Sequence, residues 1–166
     1  GTTDDVKSQV YFYVNVSEDA GTVLNGTISS HGNDTDTATV ELYKSGETTP
    51  VATQTVSGNK TVYSFSDVEA GTYTLKVSKE NHVAREYTVT VEADLTQDAK
   101  IHLIGDIDGN GKINVGDVAK VNGHIKNTAP LTDEYQLLCA NVNGGSLNMG
   151  DTASLYAHIK GTKKLY

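Results

Sequence analysis

An all-β sandwich followed by a small all-α unit of two loop–helix repeats is the fold that these 166 residues predict. Three observations predict it. Residues 1–104 carry short runs of branched and aromatic residues that alternate with polar ones and are broken by glycine turns. Residues 105–166 carry a loop and an apolar helical stretch that recur together at an offset of 34 residues. The charge divides at the same place: of a net −8, the first part holds fifteen acids against seven bases and the second part six of each.

In chain order, Val10-Tyr-Phe-Tyr-Val-Asn-Val16 opens the β region, rich in the residue types that fit a pleated surface. Strand-like segments follow near 22–30, 37–45, 50–57, 60–66, 72–79, 83–92 and 99–104. Several alternate cleanly: Ala38, Val40 and Leu42 share one face, as do Tyr73, Leu75 and Val77, and Tyr87, Val89 and Val91. Turn signals separate them at Ser45-Gly-Glu47, Ser57-Gly-Asn59 and Glu69-Ala-Gly71. Strands of this length and spacing imply a sandwich of roughly seven strands.

The junction Leu95-Thr-Gln-Asp-Ala-Lys-Ile-His-Leu-Ile-Gly105 has no Pro, Ser or Gly tract, so the two parts are expected to pack together rather than tumble on a linker. Domain bounds of 1–104 and 105–166 follow.

Next comes Asp106-Ile-Asp-Gly-Asn-Gly-Lys-Ile-Asn-Val-Gly-Asp117. Asp106, Asp108 and Asn110 put side-chain oxygens at alternate residues, Gly111 allows a sharp turn, Lys112 offers its carbonyl, and Asn114 and Asp117 complete the loop. A hard dication takes six to eight oxygens, and this is the spacing of an EF-hand calcium loop. Asp117 stands where a longer Glu is usual, which weakens bidentate closure.

The stretch after it places Val118, Val121 and Ile125 at helical spacing. The second copy matches Asp117 with Asp151, His124 with His158, and Ile125-Lys126 with Ile159-Lys160. Its loop supplies Asn141, Asn143, Asn148 and Asp151, is one residue shorter and lacks a counterpart of Asn110. With one carboxylate against three, the second site should be weak or empty.

No amphipathic helix leads into the first loop, so the pair departs from a helix–loop–helix sensor. Residues 105–166 resemble a dockerin, the calcium-binding module that plugs secreted proteins into cohesin domains of bacterial cellulosomes. The resemblance implies Ca2+ as cofactor and a cohesin of a scaffoldin or cell-surface anchoring protein as partner. It also implies a cohesin-facing set: Val115, Asn122 and Asn127 in the first copy, and Met149, Leu155, Tyr156, Ala157 and Lys160 in the second. The copies differ at matched positions, Val115 against Met149 and Asn122 against Tyr156, which favours a single binding orientation led by the second helix.

Upstream, Leu24-Asn-Gly-Thr-Ile28 and Val68-Glu-Ala-Gly-Thr-Tyr-Thr-Leu-Lys-Val77 are similar to the carboxypeptidase-regulatory-like, prealbumin-like sandwiches of bacterial surface proteins. That likeness implies an X module, a spacer that precedes a dockerin and buttresses it.

Composition narrows the function. An acidic chain offers no basic face to nucleic acid, and no apolar run reaches bilayer length. The five histidines have no partners in sequence, and neither a Gly-x-Ser-x-Gly elbow nor a phosphate loop occurs, so no enzyme is expected. Cys139, alone in the chain, lies in the apolar run 137–140 and reads as a buried small hydrophobe. The polar start Gly1-Thr-Thr-Asp-Asp5 suits a fragment of a longer secreted chain, and the dockerin resemblance implies an extracellular, bacterial, cellulosome-associated setting concerned with polysaccharide degradation. Two other readings stay open: a carbohydrate-binding domain with a structural calcium, and a calcium-sensing EF-hand regulator.

Overall fold

The computed structural model describes residues 21–166; the expected strand at residues 10–16 lies outside them. Eight strands and three helices follow in order. The strands are β1 (Thr22–Ser29), β2 (Thr37–Lys44), β3 (Ala52–Ser57), β4 (Lys60–Val68), β5 (Gly71–Lys79), β6 (Arg85–Val91), β7 (Leu95–Thr96) and β8 (Ala99–Lys100). They form two four-stranded sheets. One has the order β3-β2-β5-β6, antiparallel throughout. In the other, β4 lies antiparallel on one side of β1, while β7 and β8 lie parallel along its other side.

Alternation in sequence becomes alternation of faces. Ala38, Val40 and Leu42 of β2 register opposite Lys79, Val77 and Leu75 of β5, and the apolar members of both strands turn into one interior. Leu24, Ile28, Tyr63, Val91 and Ile101 complete that core from the neighbouring strands. The expected final strand at 99–104 is shorter than the sequence suggested. Ile101 still donates to the Ser29 carbonyl at 3.0 Å, but the chain then turns to bridge His82 through Leu103.

At the gap between β7 and β8 the chain passes close over β1. Gln97 crosses directly over Gly26 of β1, donating to Asn25 O at 2.8 Å and accepting from the Tyr63 hydroxyl at 2.7 Å. A Cβ at Gly26 would stand 2.0 Å from the Gln97 carbonyl oxygen.

Beyond residue 104 the chain builds α1 (Val115–Ile125), α2 (Glu134–Ala140) and α3 (Met149–Ile159) around a second, smaller core of Ile107, Val118, Val121, Ala140 and Leu155. Helices α1 and α3 begin three residues earlier than the apolar periodicity suggests. Asn114 and Asn148 cap them in matching capping boxes, with Asp117 and Asp151 returning a bond to each cap. Both end in Schellman turns. Thr128 and Thr162 donate back to Gly123 O and Ala157 O, with Asn127 (φ 55°) and Gly161 (φ 69°) taking the left-handed position.

Helix α2 was not anticipated, and it splices the two parts. Its Tyr135 hydroxyl donates to Val83 O at 2.6 Å and accepts from His102 N at 2.9 Å, both in the sandwich half. The Arg85 guanidinium stacks 4.3 Å above the Tyr135 ring and donates to Lys100 O at 3.1 Å. Gly105 N–H bonds the Cys139 carbonyl at 3.0 Å. Cys139 is fully buried, as expected, and burial pushes its thiol up to about 12.

Two expected outcomes follow from this packing. Gly26→Ala should lower stability by about 1–3 kcal/mol through overpacking against Gln97, read from a denaturant titration. Tyr135→Phe should cost about 1–3 kcal/mol by stranding the His102 N–H and the Val83 carbonyl while keeping the ring under Arg85. Unchanged midpoints would refute either one.

Candidate metal centre

The loop 106–117 folds around one carboxylate. Asp106 is fully buried; its Oδ1 accepts from Gly109 N at 2.9 Å and Asn110 N at 3.1 Å, and its Oδ2 from Gly111 N at 2.8 Å. Gly109 and Gly111 take φ of 68° and 83°, which lets these N–H groups turn inward. Asp117, also fully buried, closes the loop from the first turn of α1, accepting from Ile107 N and Asn114 N at 2.9 Å each. Asp108 is exposed at the rim and accepts from Asn110 N at 3.2 Å.

One carboxylate oxygen from each of Asp106, Asp108 and Asp117 lies within 4.8 Å of the other two. No basic side chain answers them, because the one ion pair among the described residues joins Lys44 to Glu69 far from the loop in sequence. Burial raises the Asp117 carboxyl above its usual range, and the charges of Asp108 and Asp106 push the same way against the N–H bonds from Asn114 and Ile107. Such a cluster fits a hard cation: it offers oxygens only, carries up to three negative charges and has no internal counter-charge.

The other expected ligands divide. Asn110 Oδ1 accepts from Lys112 N at 2.9 Å, and the Lys112 side chain stays exposed, consistent with a role for its carbonyl alone. Asn114 Oδ1 accepts from Gly116 N at 2.7 Å as the helix cap, which leaves that oxygen one further lone pair.

The second loop repeats the frame with fewer charges. Asp151 Oδ1 accepts from Asn143 N at 3.0 Å and Oδ2 from Asn148 N at 2.9 Å. Asn143 Oδ1 takes the Ser154 hydroxyl, and Asn148 caps α3 by accepting from Gly150 N. Asn141 holds the loop by donating to Gly145 O at 2.7 Å, and its Oδ1 is buried without a hydrogen-bond partner. That orphaned oxygen, at the place matching Asp106, is what a cation would satisfy.

Sequence reasoning expected the two parts to pack together, but not that two histidines of the sandwich half cover the glycines of the first loop. The His102 ring covers Gly109 so closely that a Cβ there would meet Nε2 at 2.3 Å, and His31 covers Gly111, where a Cβ would meet Nδ1 at 2.4 Å. His102 Nδ1 also lies 3.1 Å from Asp106 O, and burial lowers its imidazole below the usual range. The remaining histidines are likewise hydrogen-bonded: His82 accepts from His31 N through Nε2, while His124 and His158 accept from Leu131 N and Leu165 N, each seven residues on.

The proposed docking face is partly redrawn. Val115 (64% exposed), Met149 (54%) and Tyr156 (42%) stand open, as do Asn127 and Lys160. Asn122 accepts from the Thr152 hydroxyl at 3.2 Å, a bond between α1 and α3, and Ala157 is half-buried. Leu155 is a correction: it is fully buried in the helical core, where it packs with Val118 and Val121 rather than facing solvent. Its place in the helical repeat puts it one residue before Tyr156 and on the inward side.

Comparison with known proteins adds the following. No curated protein matches the sequence. Among solved structures, the chain is similar to chains from two interface mutants of a type II cohesin–X–dockerin complex from Acetivibrio cellulolyticus. For the C-terminal interface mutant, identity is 23%, with 83% of this chain and 95% of that chain covered at a TM-score of 0.40. For the N-terminal interface mutant the figures are 25%, 83%, 95% and 0.40. A superposition that loose carries no weight for fold or function. The sequence match is firmer: residues 20–104 fit the family described as BOS complex subunit NOMO1-like, second beta sandwich domain, and with half of its length so matched this chain belongs to that family.

Proposed function

We propose that the chain is a non-catalytic assembly module in which residues 105–166 act as a dockerin that, loaded with Ca2+, docks onto a cohesin of a scaffoldin or cell-surface anchor. Residues 1–104 act as its X module, and the setting is a secreted, bacterial, cellulosome-like assembly. The observation that carries this reading is the uncompensated carboxylate cluster of Asp106, Asp108 and Asp117 at the mouth of a capped helix that has a second copy.

Asp106, Asp108, Asn110 and Asp117, with the Lys112 carbonyl, would hold the ion; in the second loop Asn141, Asn143 and Asp151 would do so more weakly. The ion supplies positive charge that relieves the repulsion among the carboxylates. Each helix then starts from a loop whose closing aspartate is also its N3 residue, so ordering of the loop and orientation of the helix are coupled. Val115 and Met149 sit at the first position of α1 and α3 and are the apolar groups such coupling would present to a partner. A glycan-stacking role for the sandwich is less favoured, because Tyr63 and Tyr73 are buried, at 1% and 3% exposure.

Titration calorimetry should show one tight calcium site and a second that is weak or silent, and Asp106→Asn should reduce the tight site's affinity by roughly tenfold or more. Two equal high-affinity sites would contradict the assignment.

A pull-down from the secretome of a polysaccharide-degrading bacterium should recover a cohesin-bearing protein with calcium and lose it with chelator. Against that partner, Tyr156→Ala should cost about 2 kcal/mol or more and Asn122→Ala little. Equal losses would refute the single orientation.

A further inference from the structure

A second cluster has no part in the function proposed above, although His31, which rests on Gly111, lies between two of its residues, Ser30 and Gly32. Lys79 ends β5 with its side chain almost wholly enclosed, at 6% exposure. The acceptors around its ammonium are all uncharged: Asn59 Oδ1 at 3.0 Å, Ser30 Oγ at 3.2 Å and Gly58 O at 3.4 Å. No carboxylate of the described residues comes within ion-pair distance of it. An enclosed cation without a counter-charge is a standing cost to the fold.

The carboxamide facing it is held in a defined orientation. Asn59 turns its oxygen to Lys79, while its nitrogen donates to Gly32 O at 2.8 Å and to the Asp34 carboxylate at 2.7 Å. Asn59 is itself pinned in the β3–β4 turn, where its carbonyl accepts from Ser30 N at 2.8 Å and Gly58 takes φ 111°. An amine, an amide carbonyl and a carboxyl group on the leaving nitrogen are thereby brought together by three separate segments.

From this geometry we propose that Lys79 and Asn59 become joined by an intramolecular isopeptide bond. The Lys79 ammonium gives up a proton, and the neutral Nζ attacks Cγ of Asn59. The C–N bond to Nδ2 then breaks. Asp34, already hydrogen-bonded to Nδ2, carries to it the second proton that Nζ loses as the amide forms, so that nitrogen departs as ammonia, which leaves as ammonium with the proton first released by the lysine. Charge and atoms balance with no oxidant or co-reactant. An enclosed cation is replaced by a neutral amide, and the bond straps the end of β5 to the turn that joins the two sheets. Holding amine and carboxamide together in this way turns a slow bimolecular reaction into an intramolecular one.

Intact-mass spectrometry of the purified full chain, unfolded before measurement, tests the inference. The expected result is a mass lower than that of the sequence by one ammonia, and a branched peptide linking Lys79 to Asn59 after proteolysis. Lys79→Arg and Asn59→Ala should keep the full sequence mass, and Asp34→Asn should form the link roughly 100-fold more slowly. Cyclisation at an Asn-Gly step such as Asn143-Gly144 also expels ammonia, but it would persist in Lys79→Arg, open with hydroxylamine and give no branched peptide. A loss of that kind, or a wild-type chain that stays at its sequence mass after prolonged incubation, would overturn the proposal.

Discussion

Electrostatic crowding in the loop 106–117 is the constraint on which the rest of the C-terminal part depends. Three carboxylates share a space 4.8 Å across, two of them fully buried, and only backbone N–H groups answer them. Five such bonds reach Asp106 and Asp117. They hold the oxygens in place without neutralising them, so negative charge stays concentrated at the centre of the loop. Because Asp117 is also the N3 residue of α1, any shift in the loop is felt at the start of the helix.

The sandwich takes part in that constraint. His102 and His31 rest on the two loop glycines, and Tyr135 returns the contact by bonding backbone at Val83 and His102. Glycine at 109 and 111 thus answers two demands at once, a positive φ and the absence of a Cβ under an imidazole. Two small cores, each modest for its length, gain from this shared surface. The NOMO1-like sandwich is in this sense part of the loop's outer wall.

Duplication explains much of the helical part, and its lapses are informative. Caps, Schellman turns and the histidines that accept from a backbone N–H seven residues on are all repeated. What differs is the charge of the loop and the surface of the helix: Asn141 where Asp106 stands, Tyr156 where Asn122 stands. The residues that match between the copies are those that satisfy backbone groups, whereas the residues that differ lie in the loop and on the helix surface.

Local pattern was enough to place β1 to β6, their inward faces, the turns at Gly46 and Gly58 and the spacing of oxygen-bearing residues in the first loop, since each depends on residues close in the chain. Tertiary structure alone decided α2, too short for a periodic signal though Asp133 and Glu134 mark its start. It alone set Gln97 over Gly26, the histidines over the loop glycines, the burial of Leu155 beside an exposed Tyr156, and the meeting of Lys79 with Asn59 and Asp34. These are contacts between residues far apart in sequence, and which side chains meet across a packed interface follows from how the two sheets and three helices come to rest together, information that no periodicity encodes.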